Sequence, residues 1–292
     1  METDLSFFFD WQNFNDITLA SRMLYEFAEN DAKNIVLTDK LLTRFTEEPL
    51  FRYYFNANAK KAGLKFAGCH GLWGYQYDLN CDDRQYRPQA IEKHRIAMGC
   101  AADSGCKSYV MHIGAICTYY NPFDIQKMRD LACDTLEKLI PIAEKENIVI
   151  AIENSFEPTN SADEVLYFIN KFPSPFVGAC YDSGHANIMK STAKEQSLYE
   201  SYLKLCWQDN VIFDDNILEK MAPHIVTCHL HDNNGYGDYH QLPGDGTVDW
   251  QKTVTTLAKC PRIQNMQIEV KVTPEISIRK IVKTANDLKK YL

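Results

Sequence analysis

Short apolar runs alternate with longer amphipathic stretches from one end of the chain to the other. Leu5-Ser-Phe-Phe-Phe9 reads as a first strand, and a helix from about Asp16 to Asn30 puts Leu19, Met23, Leu24 and Phe27 on one side. Asn34–Thr38 is a second strand. An irregular segment over Thr43–Pro49 then precedes a helix from Leu50 to Ala62. Leu64–His70 is a third strand ending in histidine. After it come a polar loop with aromatics over Tyr75–Arg87 and a helix over Ala90–Ala102, with Pro88 suited to its first turn. Lys107–His112 is a fourth strand, again ending in histidine, and Asp124–Glu146 is a helix. Ile148–Glu153 is a fifth strand and ends in a carboxylate; Ser161-Ala-Asp-Glu164 then has the form of a capping box. Phe176–Asp182 is a sixth strand, followed by a long helical region, broken near Asp209, that runs to about Met221. The seventh strand is Ile225-Val-Thr-Cys228, with a helix over Trp250–Ala258 behind it. Asn265–Glu269 is the eighth, and Pro274–Leu292 closes the chain as an amphipathic helix.

These are eight strand–helix units with no linker, low-complexity tract or short repeat between them. Near-continuous apolar strands alternating with helices imply a parallel sheet, buried on both faces. The expected architecture is therefore α/β, a single-domain (β/α)8 TIM barrel over residues 1–292. That size and the 45% hydrophobic content allow one large core. An open doubly wound sheet is the alternative, but it would want a glycine-rich phosphate turn, and neither GxGxxG nor GxxxxGK[ST] occurs.

Charge and cysteine usage narrow the function classes. The net charge is −8, and no lysine or arginine cluster of nucleic-acid size appears, which argues against a dedicated DNA binder. The ten cysteines form no CxxC pair, and several lie inside apolar runs, so buried reduced thiols are expected. The start, Met1-Glu-Thr-Asp-Leu-Ser, has no basic region followed by an apolar one, and no apolar run is long enough to span a bilayer. A cytoplasmic protein is the expectation.

One stretch gathers the candidate chemistry. From His229 to Gly246 the chain carries His229, His231, His240, Asp232, Asp238 and Asp245, with Gly235, Gly237, Pro243 and Gly244 to turn the backbone tightly. Histidine and carboxylate side chains together suit Zn²⁺ or Mn²⁺. Similar strand ends recur: in a parallel barrel all C-terminal ends open on one face, where His70, His112, Glu153, Asp182, His229 and Glu269 would converge. A polar surface turn that happens to hold histidines would not explain the recurrence. His94, within a helix, and His224, ahead of a strand, have no such placement and read as structural or solvent-facing.

The motifs carry a resemblance. Ala151-Ile-Glu-Asn154, Tyr181-Asp-Ser-Gly-His185, His229-Leu-His-Asp232, Asp238-Tyr-His240 with Gly244-Asp-Gly246, and Gln267-Ile-Glu269 resemble the xylose isomerase-like barrel superfamily. It includes ketose 3-epimerases, inosose dehydratases, sugar isomerases and the endonuclease IV group. For the sugar enzymes the resemblance implies one divalent metal, Mn²⁺ or Zn²⁺, held by Glu153, Asp182, His229 and Glu269. Glu153 and Glu269 double as the acid/base pair. It also implies substrate contacts from His185, His240, His70 and His112, and a small sugar or keto-polyol as substrate. Trp73, Tyr75, Tyr77, Tyr119 and Tyr120 could wall the pocket or simply pack on one another. No membrane partner is expected, and a homo-oligomer stays open.

The runner-up is endonuclease IV, whose nine zinc positions correspond to His70, His112, Glu153, Asp182, His185, His229, Asp238, His240 and Glu269. That set implies phosphodiester hydrolysis at a trinuclear site. The chain departs from those nucleases in lacking a His/Gly-rich turn after Leu5–Phe9 and an arginine-rich loop at Asp39–Arg44. From the ketose 3-epimerases it departs at His240, where their loop carries an arginine. A binding protein on a dead barrel would be expected to lack Glu153 or Glu269, and both are present.

Overall fold

The strand that begins the chain also closes the sheet. A computed structural model describes residues 4–9, 17–114, 124–191 and 200–292. Its strands are β1 (Asp4–Phe8), β2 (Asn34–Leu37), β3 (Lys65–His70), β4 (Ser108–Met111), β5 (Val149–Glu153), β6 (Val177–Asp182), β7 (Ile225–Leu230) and β8 (Asn265–Ile268). Each pairs in parallel with the next, and β8 pairs with β1, giving a closed eight-stranded barrel. All of the expected strands form, most of them trimmed by a residue or two at one end.

The helices follow where an apolar stripe must be covered. They are α1 (Ile17–Glu29), α2 (Asp39–Glu47), α3 (Pro49–Lys61), α4 (Tyr86–Asp103), α5 (Ile125–Glu146), α6 (Ala162–Lys171), α7 (Ser183–Ile188), α8 (Glu200–Cys206), α9 (Ile217–Met221), α10 (Trp250–Leu257) and α11 (Ile278–Asp287). Three expectations are corrected. The segment over Thr43–Pro49, expected to be irregular, is helical as far as Glu47, because Leu41, Leu42 and Phe45 share a buried stripe; only Glu48 interrupts it before Pro49 opens α3. The long helical region after β6 is, among the described residues, three short helices; its expected break near Asp209 is present, Gln208 and Asp209 taking left-handed φ values of 51° and 63° just after α8 ends. The closing helix starts at Ile278, capped by the Ser277 side chain, and not at Pro274. The capping box at Ser161 is half made: Ser161 accepts from Glu164 N, while the Glu164 carboxylate is held by Arg129 at 2.6 and 2.8 Å.

Outside the barrel, Phe9, Phe27, Phe45, Phe51, Phe55 and Phe66 fill the space between β1–β3 and α1–α3. Inside, the barrel is less apolar. A small cluster of Val110, Ala151, Cys180 and Val226 lies beside a polar layer in which Gln267 donates to Thr227 at 2.7 Å and Thr227 to Asn265 at 3.0 Å. Gly68 makes room for that layer, since a Cβ there would overlap the Gln267 side chain. Every cysteine among the described residues is free and buried, and no described helix is long and apolar enough to cross a membrane. Cys117, Tyr119 and Tyr120 lie outside the described residues.

Candidate active site

The C-terminal strand ends do converge. Glu153 closes β5, Asp182 closes β6, His229 is the fifth residue of β7, and Glu269 follows β8 directly. Their ligand atoms lie within 4.8 Å of one another. His229 is the hub: its Nδ1 stands 2.8 Å from Glu153 Oε1 and 3.1 Å from Glu269 Oε2. Glu153 reaches the other way as well, accepting from His112 Nε2 at 2.9 Å with His70 Nε2 at 3.8 Å. Phe8 at the end of β1 supplies a floor, its ring edge-on to His229 at 5.1 Å.

The β7–α10 loop adds a second group. Asp238 Oδ2 lies 3.4 Å from His185 Nε2 and 3.2 Å from His240 Nε2. His240 holds a left-handed φ of 48°, a conformation uncommon outside glycine, and its Nδ1 donates to Glu269 O at 3.0 Å. Three histidines share this arrangement: His70, His185 and His240 each bond a backbone carbonyl through Nδ1 at 3.0 Å. That contact fixes the tautomer and leaves Nε2 facing the site, as a ligand histidine requires.

Electrostatics follow from this packing of like charges. Burial raises the Glu153 carboxyl, but His229 and His112 override it and hold the group well below its ordinary range. Burial likewise opposes Glu269, which His229 and His240 bring down to about 2. Burial would lower His240, yet Glu269 and Asp238 raise it to about 9. His185 rises against its burial because Asp182 and Asp238 face it. His70 goes the other way, its burial outweighing Glu153. Imidazole protons thus offset carboxylate charge at the strand ends.

The site opens into a cavity of about 560 Å³, a volume suited to a small molecule. His70, His112, Glu153, His185, Asp238, His240, Glu269, Trp73 and Tyr75 line it, as expected of pocket residues. Tyr77 does not; it packs against His94 behind the wall. His94 is buried and structural, bonding Tyr109 Oη at 2.9 Å and Tyr77 O at 2.8 Å.

Residues 31–271 match the family described as xylose isomerase-like TIM barrel. The chain belongs to this family. Uncharacterized protein MJ1311 of Methanocaldococcus jannaschii is 26% identical over 72% of this chain and 64% of its own. Probable endonuclease 4 of Mycoplasmopsis pulmonis is 25% identical over 56% of this chain and 55% of its own. The chain therefore spans less than two thirds of the length of these curated relatives. Among solved structures, a D-tagatose 3-epimerase-like protein superposes with a TM-score of 0.75 at 20% identity, covering 99% of this chain and 96% of its own.

Placing the family motif in space also corrects the reading of its loop. Asp232, counted with the ligand-type residues, turns to the backbone. It accepts from Val248 N at 3.0 Å, Gly244 N at 2.8 Å and Trp250 Nε1 at 2.7 Å, and so shapes the loop. Asp245 is exposed away from the cavity. Three carboxylates that line the cavity were not among the expected site residues, Asp39, Asp78 and Glu157. Glu157 is buried, held by Tyr202 and Asn160 at 3.1 Å each. Its place four residues after Glu153, just past a strand end, was the available signal.

Proposed function

We propose that this chain is a divalent-metal-dependent isomerase or epimerase of a sugar or keto-polyol, moving a proton at a carbon beside a carbonyl. The observation that carries it is the Glu153–Asp182–His229–Glu269 quartet, whose two glutamates line a small-molecule-sized cavity while Asp182 and His229 stand buried behind them. The donor set fits Mn²⁺ or Zn²⁺: three carboxylates and an imidazole crowd within 4.8 Å. A bound divalent ion would polarise carbonyl and hydroxyl oxygens and so acidify the neighbouring C–H.

The protein's own groups supply the proton transfer. Glu153 and Glu269 come from different strands and are both held ionised, so each can accept a proton from carbon. Isomerisation uses one of them to take and return it; epimerisation uses the second to deliver from the other face. His185 and His240 offer hydrogen bonds to hydroxyls, and Trp73 walls the mouth. The likeness to a D-tagatose 3-epimerase-like protein supports the same reading. With ketoses and keto-polyols screened in Mn²⁺ and Zn²⁺, Glu153→Gln and Glu269→Gln are each expected to remove most solvent deuterium incorporation, on the order of 10²-fold or more. Full exchange surviving in both would take these glutamates out of the mechanism.

A second reading, a phosphodiesterase acting on abasic DNA, draws on one observation. His185, Asp238 and His240 converge with their Nε2 and Oδ2 atoms together, as a further metal site would need. Stoichiometry separates the two: one tightly held ion is the expected result. Three zincs with cleavage of an abasic oligonucleotide would favour the nuclease.

A further inference from the structure

His231 is the imidazole that neither reading uses. It is fully buried and does not line the cavity. Its Nε2–H donates to Asp182 Oδ2 at 3.1 Å, while the other oxygen, Oδ1, accepts from His185 N at 2.6 Å. Both oxygens of Asp182 are therefore set before anything binds. The backbone of His231 is tied to the same turn: Ser183 Oγ donates to His231 O at 2.7 Å and accepts from His231 N at 3.1 Å.

The ring lies between two surfaces. On one side is Gly184, where a Cβ would overlap the imidazole, so the glycine of Asp182-Ser-Gly-His185 exists to admit this ring. On the other is His240, stacked at 4.1 Å with the ring planes 11° apart. His240 is the residue with the left-handed backbone, and the stack is one of the contacts that hold it there. Nδ1 of His231 has no partner among the described residues, which is what an Nε2–H tautomer leaves when its one donor is spent on Asp182.

We propose that His231 is a positioning residue for this centre, aiming Asp182 through Nε2 and fixing the plane of His240 through its ring face. It acts through those two residues, although its nitrogen also lies within 4.8 Å of ligand atoms of Asp182 and His185, and of His240 and Glu269, so that metal bound directly by His231 in the metal-loaded parent crystal would overturn the assignment. The proposal rests on reading Asp182 as a metal ligand, and two variants divide its parts. His231→Phe keeps a ring against Gly184 and His240 but loses the donor to Asp182. His231→Gln keeps a nitrogen donor at comparable reach and loses the ring.

Affinity for Mn²⁺ and Zn²⁺ is measured by chelator competition, alongside crystal structures of the metal-free parent and variants. The Phe variant is expected to bind either ion about 10–100-fold more weakly, and the Gln variant to recover to within about threefold of the parent. In the metal-free Phe variant the Asp182 carboxylate is expected to turn from its present orientation, and in the Gln variant the His240 ring to leave its plane. Equal loss of affinity in both variants, or none in either, would overturn the proposal. So would an unmoved Asp182 in the Phe structure. A parent that binds neither ion sinks the metal reading instead, and the two metal-free structures then decide the positioning claim without it.

Discussion

The outer surface of β1–β3 and the open rim of β5–β8 are built from opposite materials. Behind β1–β3, Phe55 meets Phe9 at 5.3 Å, Phe45 at 5.5 Å and Phe66 at 6.1 Å, a shell whose members need nothing further. On the rim, Glu153, Asp182 and Glu269 face one another, and their charge is offset by imidazoles that must be protonated to do it. A region that satisfies itself contributes stability. One whose charges are balanced only by groups that can give up their protons contributes function, and the barrel keeps the two on separate faces of one sheet.

The contrast breaks if a shell residue alters the site. Phe55→Ala deletes a fully buried ring and is expected to cost about 3–5 kcal/mol of unfolding free energy in urea. Divalent-ion affinity of the remaining folded protein should stay within about twofold of the parent. Weakened metal binding would show that shell and rim are mechanically one unit.

His94 stands between the regions and sharpens the comparison through pH. Burial lowers its pKa to about 4, against an opposing bond to Tyr77 O. The fold therefore favours the neutral ring, whereas the unfolded chain protonates near the ordinary value of 6.5. Stability from this group is fully present above about pH 6.5 and is lost as pH falls towards 4, by about 3 kcal/mol in all. His94→Gln should shrink the drop in urea stability between pH 7 and pH 4 by that amount. An unchanged drop would mean that carboxylates alone govern the acid limb.

How much of this was legible depended on which physics wrote it. The strands were, because parallel strands covered on both faces must be apolar throughout, and six of the eight, all but β1 and β2, carry a histidine or a carboxylate at or just past their ends. The convergence of His70, His112, Glu153, Asp182, His229 and Glu269 followed, since barrel topology brings those ends together whatever lies between, whereas the choice of four of them as a metal quartet came from the resemblance alone. What hid was local. The buried stripe of α2 is only Leu41, Leu42 and Phe45 among charged neighbours. Asp232 has the same side chain as Asp238, and only the turn that feeds it Val248 N and Gly244 N shows that it is not aimed at the cavity. His231 shares its pattern with His229 two positions away. Both are fully buried, and what separates them is the turn at Gly184, which no periodicity records.

The smallest expected effect lies at the cavity mouth. Trp73 keeps 53% of its surface exposed, with its ring 6.1 Å from His112, so it belongs to neither the shell nor the charged rim. An exposed ring supports little of the fold, and Trp73→Ala should change unfolding free energy by no more than about 0.5 kcal/mol. Its face is available to a sugar ring, where an aromatic contact contributes on the order of 1 kcal/mol. That contact is made equally in the bound substrate and in the transition state, so its loss should raise KM about fivefold and leave kcat unchanged. Steady-state kinetics on the substrate found by screening tests the split. A fall in kcat at constant KM would move Trp73 from the wall of the pocket into the reacting geometry.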